Sequence, residues 1–285
     1  LTLALELQER GFAVTLYEAA ERPGGKAGST RTSNGWVREH VNKNYSAHYY
    51  CLPETLGRIP CGDGTTILQR LVPAQNSWCQ FADGSDVRLR GKMGMTRQER
   101  GAEARRFVAA LAKQGVAPAT TARFLYRHAR LVWMCEARRQ EELSGQTYAH
   151  YVGAEGGLPN AGLLLQLIEI TAAANPAGPA RAAAEQTLRI FGRAFNPHGF
   201  SSMINNLDGP SDERLIAPWL AHLQSLGVVV RCNCPVAAVA RGTQAGLTLA
   251  DGTHVRHDAV VVATATAGLR QLLPEIAPSE RCDKW

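Results

Sequence analysis

The chain has 285 residues, enough for about two domains of ~150 residues each, and its 45% hydrophobic and 20% charged residues exclude disorder as the default. Lys and Arg total 31 against 25 Asp and Glu; the resulting net charge of +6 is too small an excess to require a nucleic acid partner. Seven cysteines (51, 61, 79, 135, 232, 234 and 282) lack paired-motif spacing. Cys232 and Cys234 share a strand face, but no second Cys pair or His-x-x-x-His completes a zinc site, so no metal is expected. Reducing cytoplasm is the simplest location.

The most apolar windows, Ala161–Ala174 and Ala259–Ala267, fall short of the ~18 uncharged residues a membrane span needs. Leu1 opens without Met, a basic region or a cleavage-like site. Leu1 to Arg10 reads as a helix already under way, and Trp285 closes on no element. The expectation is an internal piece of a longer protein.

In chain order, Leu1 to Arg10 is rich in helix formers, with Leu3, Leu7 and Arg10 at helical spacing. Gly11 stops that helix as a C′ residue. Phe12-Ala-Val-Thr-Leu-Tyr reads as a short buried strand, and it ends in an acid, Glu18. Arg22-Pro-Gly-Gly-Lys-Ala-Gly-Ser29 is then a flexible loop with a cation at its centre.

Helix, glycine, strand, terminal carboxylate and glycine-rich loop form the second half of a βαβ nucleotide-binding unit. In such units the acid at the tip of the second strand holds the ribose hydroxyls, about 20 residues after G-x-G-x-x-G. That fingerprint is expected immediately before Leu1. Adjacent glycines let backbone approach a ligand, and Lys26 supplies charge for a phosphate. The plainer alternatives are a solvated strand end for Glu18 and a surface turn for the glycines.

Gly11-Phe-Ala-Val-Thr-Leu-Tyr-Glu18, followed by Glu21-Arg-Pro-Gly-Gly-Lys-Ala-Gly-Ser29, resembles the FAD-binding start of the amine oxidase and phytoene desaturase superfamily. The resemblance implies that Glu18 holds the adenosine ribose and that Gly24, Gly25 and Lys26 lie along the pyrophosphate and ribityl chain. Trp36-Val-Arg-Glu-His40 is similar to the phytoene-desaturase-like branch, where a Glu-His pair precedes a segment near the flavin; Glu39 and His40 are carried over on that basis. A neutral imidazole at His40 can accept a proton near pH 7, and the alternative is a satisfied structural histidine.

From about Phe81 to Phe200 the strand signals almost vanish. Asp83-Gly84 marks a turn, and Arg97–Gln114, Thr120–Glu142, Gly162–Ala174 and Pro179–Arg193 read as helices. The front edge of this stretch is basic: Arg88, Arg90, Lys92, Arg97, Arg100, Arg105 and Arg106, with Asp86, Glu99 and Glu103 nearby. Peripheral membrane contact and an ordinary solvated helix face are both compatible with it. Aromatic residues are too sparse for a single-strand nucleic acid platform.

After Asn206 the α/β grammar returns. A helix with Ser211 as its N-cap runs to Leu226, and Gly227 stops it. Val228 to Cys234 is a strand, Pro235 to Val239 another, and Ala245 to Gly252 an edge strand entering an Asp-Gly turn. His254 to Ala265 reads as a buried parallel strand. This order also resembles the same superfamily, in which a Val at the position of Val236 contacts the adenine.

The fold expected is α/β: a split Rossmann-like FAD-binding domain of the two-dinucleotide-binding-domain type, residues 1–80 and 205–285, with a mostly helical substrate or cap domain at 81–204. The resemblance implies hydride removal from a C–H bond of an apolar, isoprenoid- or carotenoid-like substrate to flavin N5, with oxygen or a quinone as electron acceptor. The cofactor carries that chemistry, so no dedicated catalytic residue is assigned. No G-x-S-x-G elbow, Walker loop or H-E-x-x-H motif is present. The competing readings are a non-catalytic remnant of the same fold, an NAD(P)-dependent dehydrogenase and an amine oxidase, the last needing an aromatic cage.

Overall fold

The computed structural model describes residues 1–40, 43–80, 84, 86–154, 162–166, 175–191, 198–240 and 245–273. It begins with α1 (Thr2–Glu9), β1 (Thr15–Tyr17), β2 (Ser29–Arg31), β3 (Val37–Glu39), β4 (Tyr45–Ser46), α2 (Cys51–Gly57), β5 (Val72–Pro73), β6 (Asn76–Gln80) and β7 (Asp86–Arg90). Helices follow: α3 (Arg97–Lys113), α4 (Pro118–Trp133), α5 (Glu136–Leu143), α6 (Tyr148–Val152), a stretch at 162–166, and α7 (Ala180–Phe191). The chain then forms β8 (Ile204–Asn206) and a π-helical turn, Asp212–Ile216, that runs into α8 (Ala217–Ser225). It ends with β9 (Val229–Arg231), β10 (Val236–Ala240), β11 (Gly246–Leu249), β12 (His254–Arg256) and α9 (Thr266–Leu272). This is a mixed α/β chain with several helices and small sheets.

Two compact units emerge: one from the described parts of Leu1–Lys43, Glu54–Leu71 and Leu207–Trp285, the other from those of Asn44–Pro53 and Val72–Asn206. In the first, β1 and β9 pair in parallel, Thr15 opposite Val229 and Tyr17 opposite Arg231. Both strands follow a helix that ends at a left-handed glycine, Gly11 (φ +85°) and Gly227 (φ +97°). Each glycine returns an amide to the last helical turn, to Gln8 and Gln224. Leu5, Leu56, Ile59, Ile67 and Leu223 are fully buried. Arg58 pairs with both Glu6 and Glu9 of α1.

The second unit carries the β4-β8-β5 sheet, the β6–β7 hairpin and the helices. Thr96 begins α3 with a capping box: its hydroxyl accepts from the Glu99 amide at 3.2 Å, and Glu99 accepts from the Thr96 amide at 2.7 Å. Leu111, Phe124, Leu131, Leu143, Tyr148 and Ala184 pack in one core. Inside it His128 meets the Tyr148 hydroxyl through Nε2 and the Phe124 carbonyl through Nδ1 at 2.9 Å.

Several expectations need correction. The strand expected from Phe12 is paired only from Thr15; Phe12 is exposed and β1 half-buried. The helix expected over Thr120–Glu142 breaks at Met134 and Cys135, whose backbones are extended. Twelve residues of continuous helix would separate Arg130 from Glu142 by about 18 Å; the break folds α5 back so that they pair at 2.6 Å. Ser211 does not cap through its side chain, because its own backbone is already helical. The parallel strand expected to run to Ala265 pairs only at His254–Arg256, and antiparallel. Among the described residues no strand lies beside Ala259–Ala263. An apolar run becomes strand only where a neighbour takes its N–H and C=O groups. The hairpin of β6 and β7 was not expected, although Val87 and Leu89 alternate with Asp86, Arg88 and Arg90 beside the Asp-Gly turn. Asp83 of that turn, and most of the helix expected at 162–174, lie outside the described residues.

Candidate functional site: a cleft beside a glycine turn

The site is built on the β2–β3 hairpin and the turn before it. Gly24 and Gly25 both have positive φ (+132° and +49°), which turns the chain into a single 3₁₀ turn over Gly25–Ala27. The two glycines are needed for different reasons. A Cβ at Gly24 would sit 3.2 Å from Cγ1 of Ile216 in the π-helical turn, whereas one at Gly25 would meet nothing within 4 Å. Gly24 thus packs the loop on the protein, and Gly25 leaves open space.

That space is an open cleft of about 480 Å³ lined by Gly25, Lys26, Gly28, Thr30, Arg38, Glu39 and His40. Of the residues expected from sequence, Gly25, Lys26, Glu39 and His40 line it together, and Gly24 precedes it in the turn. Gly28, Thr30 and Arg38 were missed. Strand pairing carried the signal, since Thr30 lies opposite Arg38 across the β2–β3 ladder.

Glu39 is the best-connected group here. Its Oε1 accepts from the Ser29 hydroxyl at 2.6 Å and from the Ser211 amide at 2.9 Å, and its Oε2 pairs with Lys43. The Ser29 hydroxyl in turn accepts from the Asp212 amide at 3.0 Å. Burial alone would raise the carboxyl, but Lys43, Ser29 and the Ser211 amide outweigh it and hold its pKa down at about 2. The orphan amides at the start of the Asp212 helix are thereby capped from the hairpin rather than by Ser211 itself. With the Glu39 charge matched by Lys43, Lys26 and Arg38 leave the cleft favourable to an anion.

Glu18 and Val236 sit at a second place, the tip of the parallel pair. The Glu18 amide donates to the Arg231 carbonyl and its carbonyl accepts from the Cys234 amide, both at 2.9 Å. Val236 begins β10 two residues beyond Cys234. The Glu18 carboxylate accepts from the Ala20 amide at 2.9 Å, which holds it at the strand end. Among the described residues no His, Cys, Asp and Glu cluster could hold a metal.

These residues fit a dinucleotide with a diphosphate: a carboxylate at the strand tip, a glycine turn with open space, and cations beside it. No curated protein matches the chain. Among solved structures, putrescine oxidase bound to putrescine superposes with a TM-score of 0.55 at 16% identity, over 94% of this chain and 56% of that one. A putative protoporphyrinogen oxidase from Exiguobacterium sp. 255-15 gives 0.55 at 20% identity, over 95% and 58%. An oxidoreductase from Methanosarcina mazei gives 0.54 at 12%, over 98% and 59%. At these identities the likeness is one of fold, and the chain spans a little over half the length of these structures. The family model for flavin containing amine oxidoreductases matches residues 1–284. By that match, which takes in the strand-tip carboxylate, the glycine turn and the cleft, the chain belongs to the flavin-containing amine oxidoreductase family.

Proposed function

We propose that the chain is part of an FAD-dependent oxidoreductase, with a split Rossmann-like cofactor domain in the first unit and the helical unit serving the substrate. The observation that carries this reading is the single cleft in which Gly25, Lys26, Glu39 and His40 converge beside the Gly24–Gly25 turn. In this reading Glu18 accepts hydrogen bonds from the adenosine ribose hydroxyls, Val236 packs on the adenine, and Lys26 and Arg38 neutralise the diphosphate. Glu39 acts through Ser29, Ser211 and Lys43, holding the hairpin that forms the cleft wall. His40 lines the same cleft beside Lys26 and Arg38. When bound, the flavin supplies the redox chemistry by accepting a hydride from a substrate C–H bond.

The substrate we favour is small and apolar, of isoprenoid or carotenoid type, with oxygen or a quinone as electron acceptor, in a cytoplasmic protein that touches a membrane only peripherally. An amine is the second reading, and the likeness to putrescine oxidase favours it. The test of the cofactor is the visible absorption spectrum of the protein titrated with FAD. A flavin band that stays with the protein is expected. Glu18→Ala should weaken binding by about 1.5–3 kcal/mol, the loss of a charged hydrogen bond. No flavin retained after titration, or equal retention in Glu18→Ala, would overturn the respective assignment.

A further inference from the structure

Four of the seven cations in the basic stretch at the front of the helical unit pair with its own acids. Arg88 pairs with Asp86 at 2.9 Å, Arg90 with Glu103 at 3.3 Å, Lys92 with Glu99 at 2.9 Å and Arg106 with Glu103 at 2.7 Å. The excess charge runs from that stretch into the helices that follow it. Residues 97–133, α3 and α4 with their connection, hold eight Lys and Arg against two Glu, a net of +6 that equals the excess of the whole chain. Helix α4 itself has three Arg and no acid, and of the three Arg130 is paired with Glu142 of α5 at 2.6 Å.

Helix α4 is also apolar on two sides. Its inner face puts Phe124 and Leu131 into the core. Its outer face carries Ala122, Tyr126, Ala129 and Trp133 at spacings of four, three and four, one stripe of a helix. Tyr126 is 65% exposed, Trp133 80% and Leu125, on the edge of the stripe, 47%. Arg123 is exposed beside it. An indole and a phenol in water at helical spacing are an unsatisfied apolar surface, and their polar tips suit a layer that is apolar on one side and wet on the other.

We propose that the outer face of α4 is a docking surface for an anionic lipid bilayer. The helix lies in the plane of the interface with Trp133, Tyr126 and Leu125 at the acyl boundary. Arg123 and the positive field of α3 and α4 act on the headgroups. A second copy of this chain fits less well, because association through α4 would bring two such fields together. No described helix is long and apolar enough to cross a membrane, and the contact proposed is with the surface alone. The inference does not depend on flavin binding.

The experiment is co-sedimentation with phosphatidylcholine vesicles, with and without phosphatidylserine, for the wild type, Trp133→Ser/Tyr126→Ser and Arg123→Gln. These side chains are exposed, so each variant should keep the wild-type circular dichroism spectrum. The wild type should bind phosphatidylserine vesicles about tenfold or more tightly than neutral ones, and less well as salt rises. The double variant should lose about tenfold or more, and Arg123→Gln should weaken binding with a shallower salt dependence. Equal binding of the double variant, equal binding to neutral vesicles, or no binding at all would overturn the proposal. So would wild-type self-association that the double variant abolishes, which would assign the face to a second copy.

Discussion

The Glu39 carboxylate takes hydrogens from a hydroxyl ten residues away, an ammonium four residues away and an amide 172 residues away. Replacing it with Gln keeps the shape, removes the charge and leaves Lys43, whose side chain is only 15% exposed, without its counter-ion. Glu39→Gln should therefore cost about 1–3 kcal/mol, read by chemical denaturation, with faster hydrogen exchange at the Ser211 and Asp212 amides. Because the folded pKa of Glu39 lies at about 2, below the ordinary 4.5, its contribution is full above pH 4.5 and is lost as pH falls from there toward 2. His128 works in the opposite chemical sense with the same pH sign. Burial lowers its pKa below 6.5, against the bond to the Phe124 carbonyl. The imidazole is neutral in the fold, so Nδ1–H donates to Phe124 and Nε2 accepts from Tyr148. The unfolded chain takes up the proton first as pH drops. Stability should be level above pH 6.5 and fall below it by up to about 1.4 kcal/mol per pH unit. His128→Gln should flatten that slope in thermal midpoints measured against pH.

At the scale of the element, the glycine turn and the helix beginning at Asp212 are one joint. Ile216 sits in the π-helical turn, 3.2 Å from where a Gly24 side chain would begin. Gly24→Ala meets that contact as well as a φ of +132°; it should cost more than Gly25→Ala, which meets only the penalty of a left-handed backbone, about 1–2 kcal/mol. Denaturation midpoints of the two variants give the comparison, and an equal loss would mean that Ile216 gives way. The ends of α1 and α8 were legible in sequence because Gly11 and Gly227 act within one turn of the helices they stop. The break at Met134 was not. Thr120 to Glu142 holds no Gly or Pro to mark a stop, and what divides it is the burial of Met134 and the return of Glu142 to Arg130, neither of which is a local property.

At the scale of the molecule, the charge is uneven in a way that composition conceals. A net of +6 looks mild over 285 residues, but it is the net of residues 97–133 alone. The sequence by itself determined what rests on neighbours in the chain: the order of helix, glycine, strand and acid around Glu18, the Gly24–Gly25 turn, and the family these motifs indicate. Tertiary structure alone decided that Glu39 reaches a helix start at Ser211, that Arg38 joins Lys26 and His40 in the cleft, and that the Ala259–Ala263 run stays unpaired among the described residues. It also decided that the outward stripe of α4 is solvent-facing. The reason is common to all four: burial and hydrogen-bond partners are set by segments distant in the chain, and periodicity can show that a helix has two apolar faces but not which of them finds a neighbour.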